Sequence, residues 1–252
     1  MRFVIFFALR SLAIISKKFS YNTFLINFIK LSIMFEQLEK NLFVFYSSNM
    51  GSNVYVLIGK IIALIDTSLK VNATELTDAL HSIGIKESDV DLILHTHAHA
   101  DHIGCTALFS KAEKRMHESD AKKVELHDAR YTCSNLLNQN EYPKIDSYLK
   151  KDEIIEIKPF SLRVVYTPGH TQGSVCFYDE NKRMLFSGDT LFEKACGRTD
   201  LPGGSEQQLV ESLFNIQYLK FDTLLPGHGV VFKGDQQENI EAVLKTLQGK
   251  YY

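Results

Sequence analysis

From residue 34 onward the chain alternates short apolar runs with turn residues, and the period of each run predicts its element. Residues 42–46, 53–58 and 61–65 are β-rich runs separated by Gly51-Ser52 and Gly59-Lys60, which predicts an antiparallel meander ending at Asp66-Thr67-Ser68. Residues 74–83 carry Leu76, Leu80 and Ile83 at helical spacing, and Gly84 stops that helix. The continuous apolar run 90–94 reads as a buried strand, 103–112 as a helix and 114–117 as a short strand. Residues 119–149 are polar and mixed, and predict one or two helices and a loop around Pro143. In the second half, 153–157, 162–166, 174–178 and 183–186 read as strands, with Asp179-Glu180-Asn181-Lys182 turning between the last two. Ser205 followed by Gln208 forms a capping box for a helix to about Ile216, with Leu209, Leu213 and Phe214 facing inward. A short strand at 221–225 and an amphipathic helix at 236–247 close the chain. Each half runs several strands and then helices, so the expected fold is α+β, two sheets face to face with helices outside.

Composition narrows this picture modestly. The 252 residues, 45% hydrophobic and 23% charged, are those of an ordinary globular protein, and a net charge of −2 gives no electrostatic case for nucleic acid. Cysteines 105, 133, 176 and 196 form no Cys-x-x-Cys pair, which suits reduced thiols and a cytoplasmic protein. Residues 1–33 stand apart: they hold Arg2, Arg10, Lys17, Lys18 and Lys30 among Phe, Ile and Leu, with no acidic residue before Glu36. Charges interrupt the apolar runs too soon for a membrane span, which needs about 20 apolar residues. The segment reads as a cleaved or organelle-targeting leader, or an extension upstream of Met34, with one domain over 34–252.

The chemistry concentrates at strand ends. His97-x-His99-x-Asp101-His102 follows the 90–94 strand and combines neutral nitrogen with anionic oxygen donors. Residues two apart in extended backbone point the same way, so His97 and His99 can converge on one ion, leaving Asp101 and His102 to face another. Three further apolar runs end in Thr167-Pro168-Gly169-His170, Gly188-Asp189-Thr190 and Pro226-Gly227-His228-Gly229, each placing a ligand-type side chain beside glycine. Seven candidate ligands (His97, His99, Asp101, His102, His170, Asp189 and His228) exceed one tetrahedral ion and suit two divalent cations with a carboxylate such as Asp189 between them. Two cations would lower the pKa of water and polarise a carbonyl or phosphoryl oxygen. Zinc is the expected ion, with iron or manganese compatible, and a small molecule the expected substrate. The oligomeric state is not readable.

These segments resemble the metallo-β-lactamase superfamily of hydrolases, and within it the glyoxalase II-like group, over about residues 35–250. The resemblance implies a four-layer αββα sandwich with the site at one edge between the sheets. It also implies that His97, His99 and His170 hold one metal, Asp101, His102 and His228 the other, and Asp189 lies between. Asp101 and Asp189 then carry catalytic roles as well as ligand roles, and Asp66 orients ligands from behind. Aspartate, not cysteine, at position 189 is nearer to thioesterase-like and lactonase-like members than to cysteine-using lactamases. The loop from Cys196 to Gly204 resembles one in compact glyoxalase II-like hydrolases, with Arg198 and Asp200 expected as a loop ion pair and, secondarily, as substrate contacts. Glyoxalase II enzymes also use a C-terminal helical segment to bind glutathione, whereas here a single helix is predicted after His228.

The function implied is hydrolysis of an S-acyl-glutathione-like thioester. The rivals are a mono-iron persulfide dioxygenase of the same superfamily, a lactonase or phosphodiesterase, and a metal-free binding protein on a retained fold. His95 is expected to point away from the site as a packed histidine, Cys105 and Cys196 to be core or loop thiols, and His117 and His127 to be surface or core residues.

Overall fold

In the computed structural model, residues 35–248 are described, and the leader expected at 1–33 lies outside them. The first sheet runs in sequence order through β1 (Phe35–Glu39), β2 (Leu42–Phe45), β3 (Val54–Ile58), β4 (Ile62–Ile65), β5 (Leu92–Leu94), β6 (Glu113–His117) and β7 (Ser147–Leu149). Strands β1 to β4 form the antiparallel meander expected from the turns, whereas β4 to β7 pair in parallel. Parallel neighbours need crossovers, which here carry α1 (Ala73–Ser82), the single turn α2 (Ala100–Ile103) and α3 (Glu118–Glu125). The second sheet comprises β8 (Ile154–Glu156), β9 (Ser161–Tyr166), β10 (Val175–Asp179), β11 (Met184–Gly188), β12 (Thr223–Pro226) and β13 (Phe232–Lys233), in the order β13-β12-β11-β10-β9-β8. Within it β11 and β12 are parallel, joined through α4 (Glu206–Ile216), and α5 (Gln236–Gln248) follows β13.

Alternation along the strands explains why two sheets stack. Leu57, Ile65, Leu94, Leu162, Phe177, Phe186 and Leu225 turn to a shared interior and are almost wholly buried. Each such side chain contributes about 1.5–3 kcal/mol by leaving water. Cys176, Tyr178, Leu185 and Leu224 turn to the other face of the second sheet and meet Leu209, Leu213 and Ile216 of α4 and Val243 and Leu247 of α5. The result is the expected α+β sandwich. Among the described residues no helix is long and apolar enough to cross a membrane.

Some elements differ from expectation. The helix expected at 103–112 begins earlier and lasts one turn: the Gly104 amide donates to Ser68 O at 2.8 Å, and the Thr106 hydroxyl to Ile103 O at 2.7 Å. The polar segment 119–149 contains α3 and then mostly turns before β7. Phe214 is 40% exposed, because the inward stripe of α4 is Leu209, Ser212, Leu213 and Ile216. Strands β1 and β13 also escape the sequence pattern. Both are short edge strands, and β1 alternates weakly as Phe-Glu-Gln-Leu-Glu.

Candidate metal centre

The parallel pairs decide where the site forms, since in such sheets ligands gather beyond the carboxyl ends of strands. Register Ile65↔Leu94 places Asp66, just after β4, beside the start of the histidine loop, and the Asp66 amide donates to Leu94 O at 3.1 Å. In the other sheet, register Gly188↔Pro226 sets Asp189 beside Gly227-His228. His170 lies in the turn joining β9 and β10. Contacts between the sheets lock these ends together: Val175 N donates to Thr96 O at 2.9 Å, Asn53 N to Gly227 O at 2.7 Å and the Tyr55 hydroxyl to Pro226 O at 2.7 Å. Glycine is required at 227, where a Cβ would collide with Asp189 Oδ1 and lie 2.7 Å from His102.

The seven residues singled out by spacing meet at this edge. Three groups, His97/His99/His170, His97/His102/Asp189 and Asp101/His102/His228, each bring one donor atom per residue within 4.8 Å of the others. His97 Nε2 lies 3.2 Å from His99 Nδ1, and His102 Nε2 lies 3.3 Å from His228 Nε2. Asp189 reaches into both sides, with His102 Nε2 at 3.3 Å, His170 Nε2 at 3.6 Å and His228 Nε2 at 3.7 Å. Asp101 Oδ2 is 3.1 Å from His228 Nε2.

This donor set fits divalent cations. The rings of His97, His99 and His170 pack nearly perpendicular to one another and crowd their nitrogens where a cation could lie, and His99 Nε2, His170 Nε2 and Asp189 Oδ1 are buried without a hydrogen-bond partner. Every convergent donor is nitrogen or oxygen, which suits zinc, iron or manganese and gives no preference for a soft ion.

Electrostatics divides the cluster. Burial, and then the neighbouring histidines, hold His97 well below the usual imidazole range; burial, then His170, holds His99 down to about 3. Burial also opposes charge on His102, but Asp189, Asp66 and Asp101 outweigh it and raise that imidazole well above its usual range. His228 rises likewise against its burial, through Asp189 and Asp101. Burial would raise the Asp66, Asp101 and Asp189 carboxyls, yet the charge on His102 holds all three below the ordinary carboxylate range.

Behind the ligands, Asp66 accepts from Thr96 N at 2.9 Å and Thr96 Oγ1 at 2.7 Å, and lies 2.8 Å from His102 Nδ1. Its φ of 57° turns the chain at the strand end, a left-handed conformation that aspartate tolerates better than most residues. His95 is fully buried and points away from the ligands, with Nε2 3.2 Å from Thr106 Oγ1, but its Nδ1 approaches Asp66 from behind at 3.8 Å. Arg198 and Asp200 form a bidentate pair at 2.9 and 2.7 Å, both 67% exposed, while the Arg198 carbonyl accepts from His170 Nδ1 at 2.7 Å. The loop therefore orients His170 through its backbone.

Cys105 is a core thiol, donating to Leu69 O at 3.0 Å and pushed up to about 12 by burial. Cys196 instead lines a cavity of about 440 Å³ opening onto His99, Asp101, Asp189 and His228. His117 is half-buried, caps α3 by accepting from Ser119 N at 3.3 Å and stacks on Tyr166, and His127 stacks on Tyr142. Sequence reasoning missed Thr96, and also Asp120, a wholly buried carboxylate that burial raises while four donors hold it partway back. An acidic residue opening a helix is too ordinary a pattern to mark Asp120 from sequence.

The sequence model of the metallo-beta-lactamase superfamily matches residues 49–228, which span all seven converging residues. The probable metallo-hydrolase MJ0888 of Methanocaldococcus jannaschii is 33% identical over 188 residues, covering 72% of this chain and 89% of its own. The hydroxyacylglutathione hydrolase of Pelagibacter ubique is 28% identical over 189 residues, 71% of this chain and 72% of that protein. The solved structure of TTHA1623 in a di-iron-bound form superposes with a TM-score of 0.63 at 25% identity, over 81% of this chain and 96% of that one. Fold, ligand-bearing strand ends and sequence agree, and the chain belongs to the metallo-beta-lactamase superfamily.

Proposed function

We propose that the chain is a binuclear metal-dependent hydrolase of S-acyl-glutathione-like thioesters. The observation that carries this reading is Asp189, whose carboxylate faces His170 on one side and His102 and His228 on the other. His97, His99 and His170 would hold one cation, Asp101, His102 and His228 the second, with Asp189 between them. Zinc is the proposed ion. The di-iron form of a 25% identical relative supports two ions per site and keeps iron as the alternative. Bound there, two divalent cations supply Lewis acidity, making water a nucleophile near neutral pH and polarising the carbonyl it attacks.

The protein's own part is to aim the ligands and line the cavity. Asp66 fixes which nitrogen of His102 faces the centre. The Arg198 carbonyl does the same for His170 by holding its Nδ1 hydrogen. The cavity is lined by Met50, Leu136, Leu137, Phe192 and Leu201, which offer apolar surface to the acyl portion of a substrate. The similarity to a hydroxyacylglutathione hydrolase supports a thioester over a phosphodiester. Purified protein should release thiol from S-lactoylglutathione. No thiol release with two ions bound would overturn the substrate reading, and a lactone and phosphodiester panel would then identify the class.

A further inference from the structure

Asp120 is fully buried at the third residue of α3, yet none of its hydrogen bonds serves that helix. Its Oδ2 accepts from Ala98 N at 2.7 Å and Thr171 Oγ1 at 2.8 Å. Its Oδ1 accepts from Gly173 N at 2.7 Å and the Tyr131 hydroxyl at 2.6 Å. Ala98 separates His97 from His99, and Thr171 follows His170, so one carboxylate holds residues next to all three histidines of one group, through the Ala98 amide and the Thr171 hydroxyl. Tyr131 extends the clamp, because its oxygen also accepts from Gln172 N at 2.9 Å. Position 173 must be glycine, since a Cβ would lie 2.5 Å from the Asp120 carboxylate.

The geometry points to Asp120 as the positioning residue of the His97/His99/His170 half alone, the counterpart of Asp66 behind His102. This inference rests on the two-cation reading above. It deepens that reading by assigning the three-histidine half a buried anion of its own, beside the longer link from Asp66 through Thr96 Oγ1 to His97 Nδ1, so that this half can be loosened by itself. The chemistry of the clamp makes the test specific. In Asp120→Asn, the amide NH2 must confront either Ala98 N–H or Gly173 N–H, whichever way it is turned. Neither backbone donor can turn round, whereas the Thr171 and Tyr131 hydroxyls can.

Zinc titration of the metal-free full-length chain reads the outcome directly. Wild type should take two ions. In Asp120→Asn, one site should weaken by about 10–100-fold, the scale of losing a group that orients a metal-bound histidine, with the other unchanged. Thr171→Val and Tyr131→Phe each remove one hydroxyl donor and should weaken the same site by less. Cobalt loading supplies the second readout: the absorption of the three-histidine site should shift in all three variants, and that of the other site should not. Two ions bound at wild-type affinity in the three variants, or both sites weakened equally, would overturn the inference. Should Asp120→Asn not fold, Thr171→Val and Tyr131→Phe carry the same two outcomes. A wild-type chain that takes fewer than two ions would instead overturn the two-cation reading itself.

Discussion

The two halves of the candidate centre use different chemistry for the same task. One is three buried imidazoles, of which burial and the neighbouring histidines hold His97 well below the usual range and His99 down to about 3. The other mixes Asp101 with His102 and His228, whose imidazoles are raised by surrounding carboxylates. In the first half, His97 and His99 can accept a cation at neutral pH without losing a proton. The second stores positive charge that an incoming cation must displace. On the proposed two-cation reading, the two halves would differ in affinity and in pH dependence and would meet at Asp189.

The largest expected effect comes from removing that joint. Asp189→Ala should lower thiol release by about 10³-fold or more, the scale of losing a group that acts on the reacting atoms. It should also lower metal content in both halves, measured by elemental analysis. Full metal content with full activity would show that the halves do not depend on Asp189.

Next in size is Asp66→Asn, which removes the carboxylate that holds His102 Nδ1. Affinity should fall by about 10–100-fold in the Asp101/His102/His228 half and by less in the other, which Asp66 reaches through Thr96 Oγ1, itself 3.0 Å from His97 Nδ1. Equal weakening of both sites in a zinc titration would remove the distinction.

The pH behaviour of metal-free protein sharpens the contrast, because the halves titrate in opposite senses. An unfolded histidine has a pKa of about 6.5. His99 is depressed when folded, so the unfolded chain takes up its proton first and stability falls as pH drops from about 6.5 towards 3. His102 is raised, so its contribution is complete below about 6.5 and is lost as pH rises through its folded value. Urea unfolding across pH should therefore show His99→Gln losing acid sensitivity and His102→Gln losing stability chiefly on the acid side. Calorimetry in buffers of different ionisation enthalpy should show proton release on zinc binding that His99→Gln leaves in place and His102→Gln reduces.

The smallest effect belongs to Arg198→Ala. The side chain is exposed and paired only with Asp200 in the bonds above, while the carbonyl holding His170 survives any substitution. Melting temperature and metal content should stay at wild-type values. A lost ion would mean that the guanidinium, not the backbone, shapes the loop.

Much of this centre was legible in the sequence because its candidate ligands announce themselves locally. His97, His99, Asp101 and His102 sit within six residues, and His170, Asp189 and His228 each follow an apolar run beside glycine. The supporting residues were not legible in the same way. Asp120 acquires its role from partners 22 and 51 residues away, which no local pattern encodes. Asp66 was placed only through family resemblance, although its left-handed turn and its register against Leu94 now account for it physically. The parallel pairing of β4 to β7 was likewise hidden, since β6 (Glu-Lys-Arg-Met-His) and β7 (Ser-Tyr-Leu) lack the continuous apolar runs that mark parallel strands buried on both faces. The helix expected after His102 failed because the Gly104 amide bonds to Ser68 O and the His102 carbonyl accepts from Thr67 N, both outside the helical ladder.

Metal stoichiometry set against thioester turnover tests the account most directly. Titrating zinc into the metal-free chain while following thiol release from S-lactoylglutathione should show two binding events, with full activity reached only when the second site fills. Saturation by one ion, with full activity at one equivalent, would contradict a centre built from two cooperating halves.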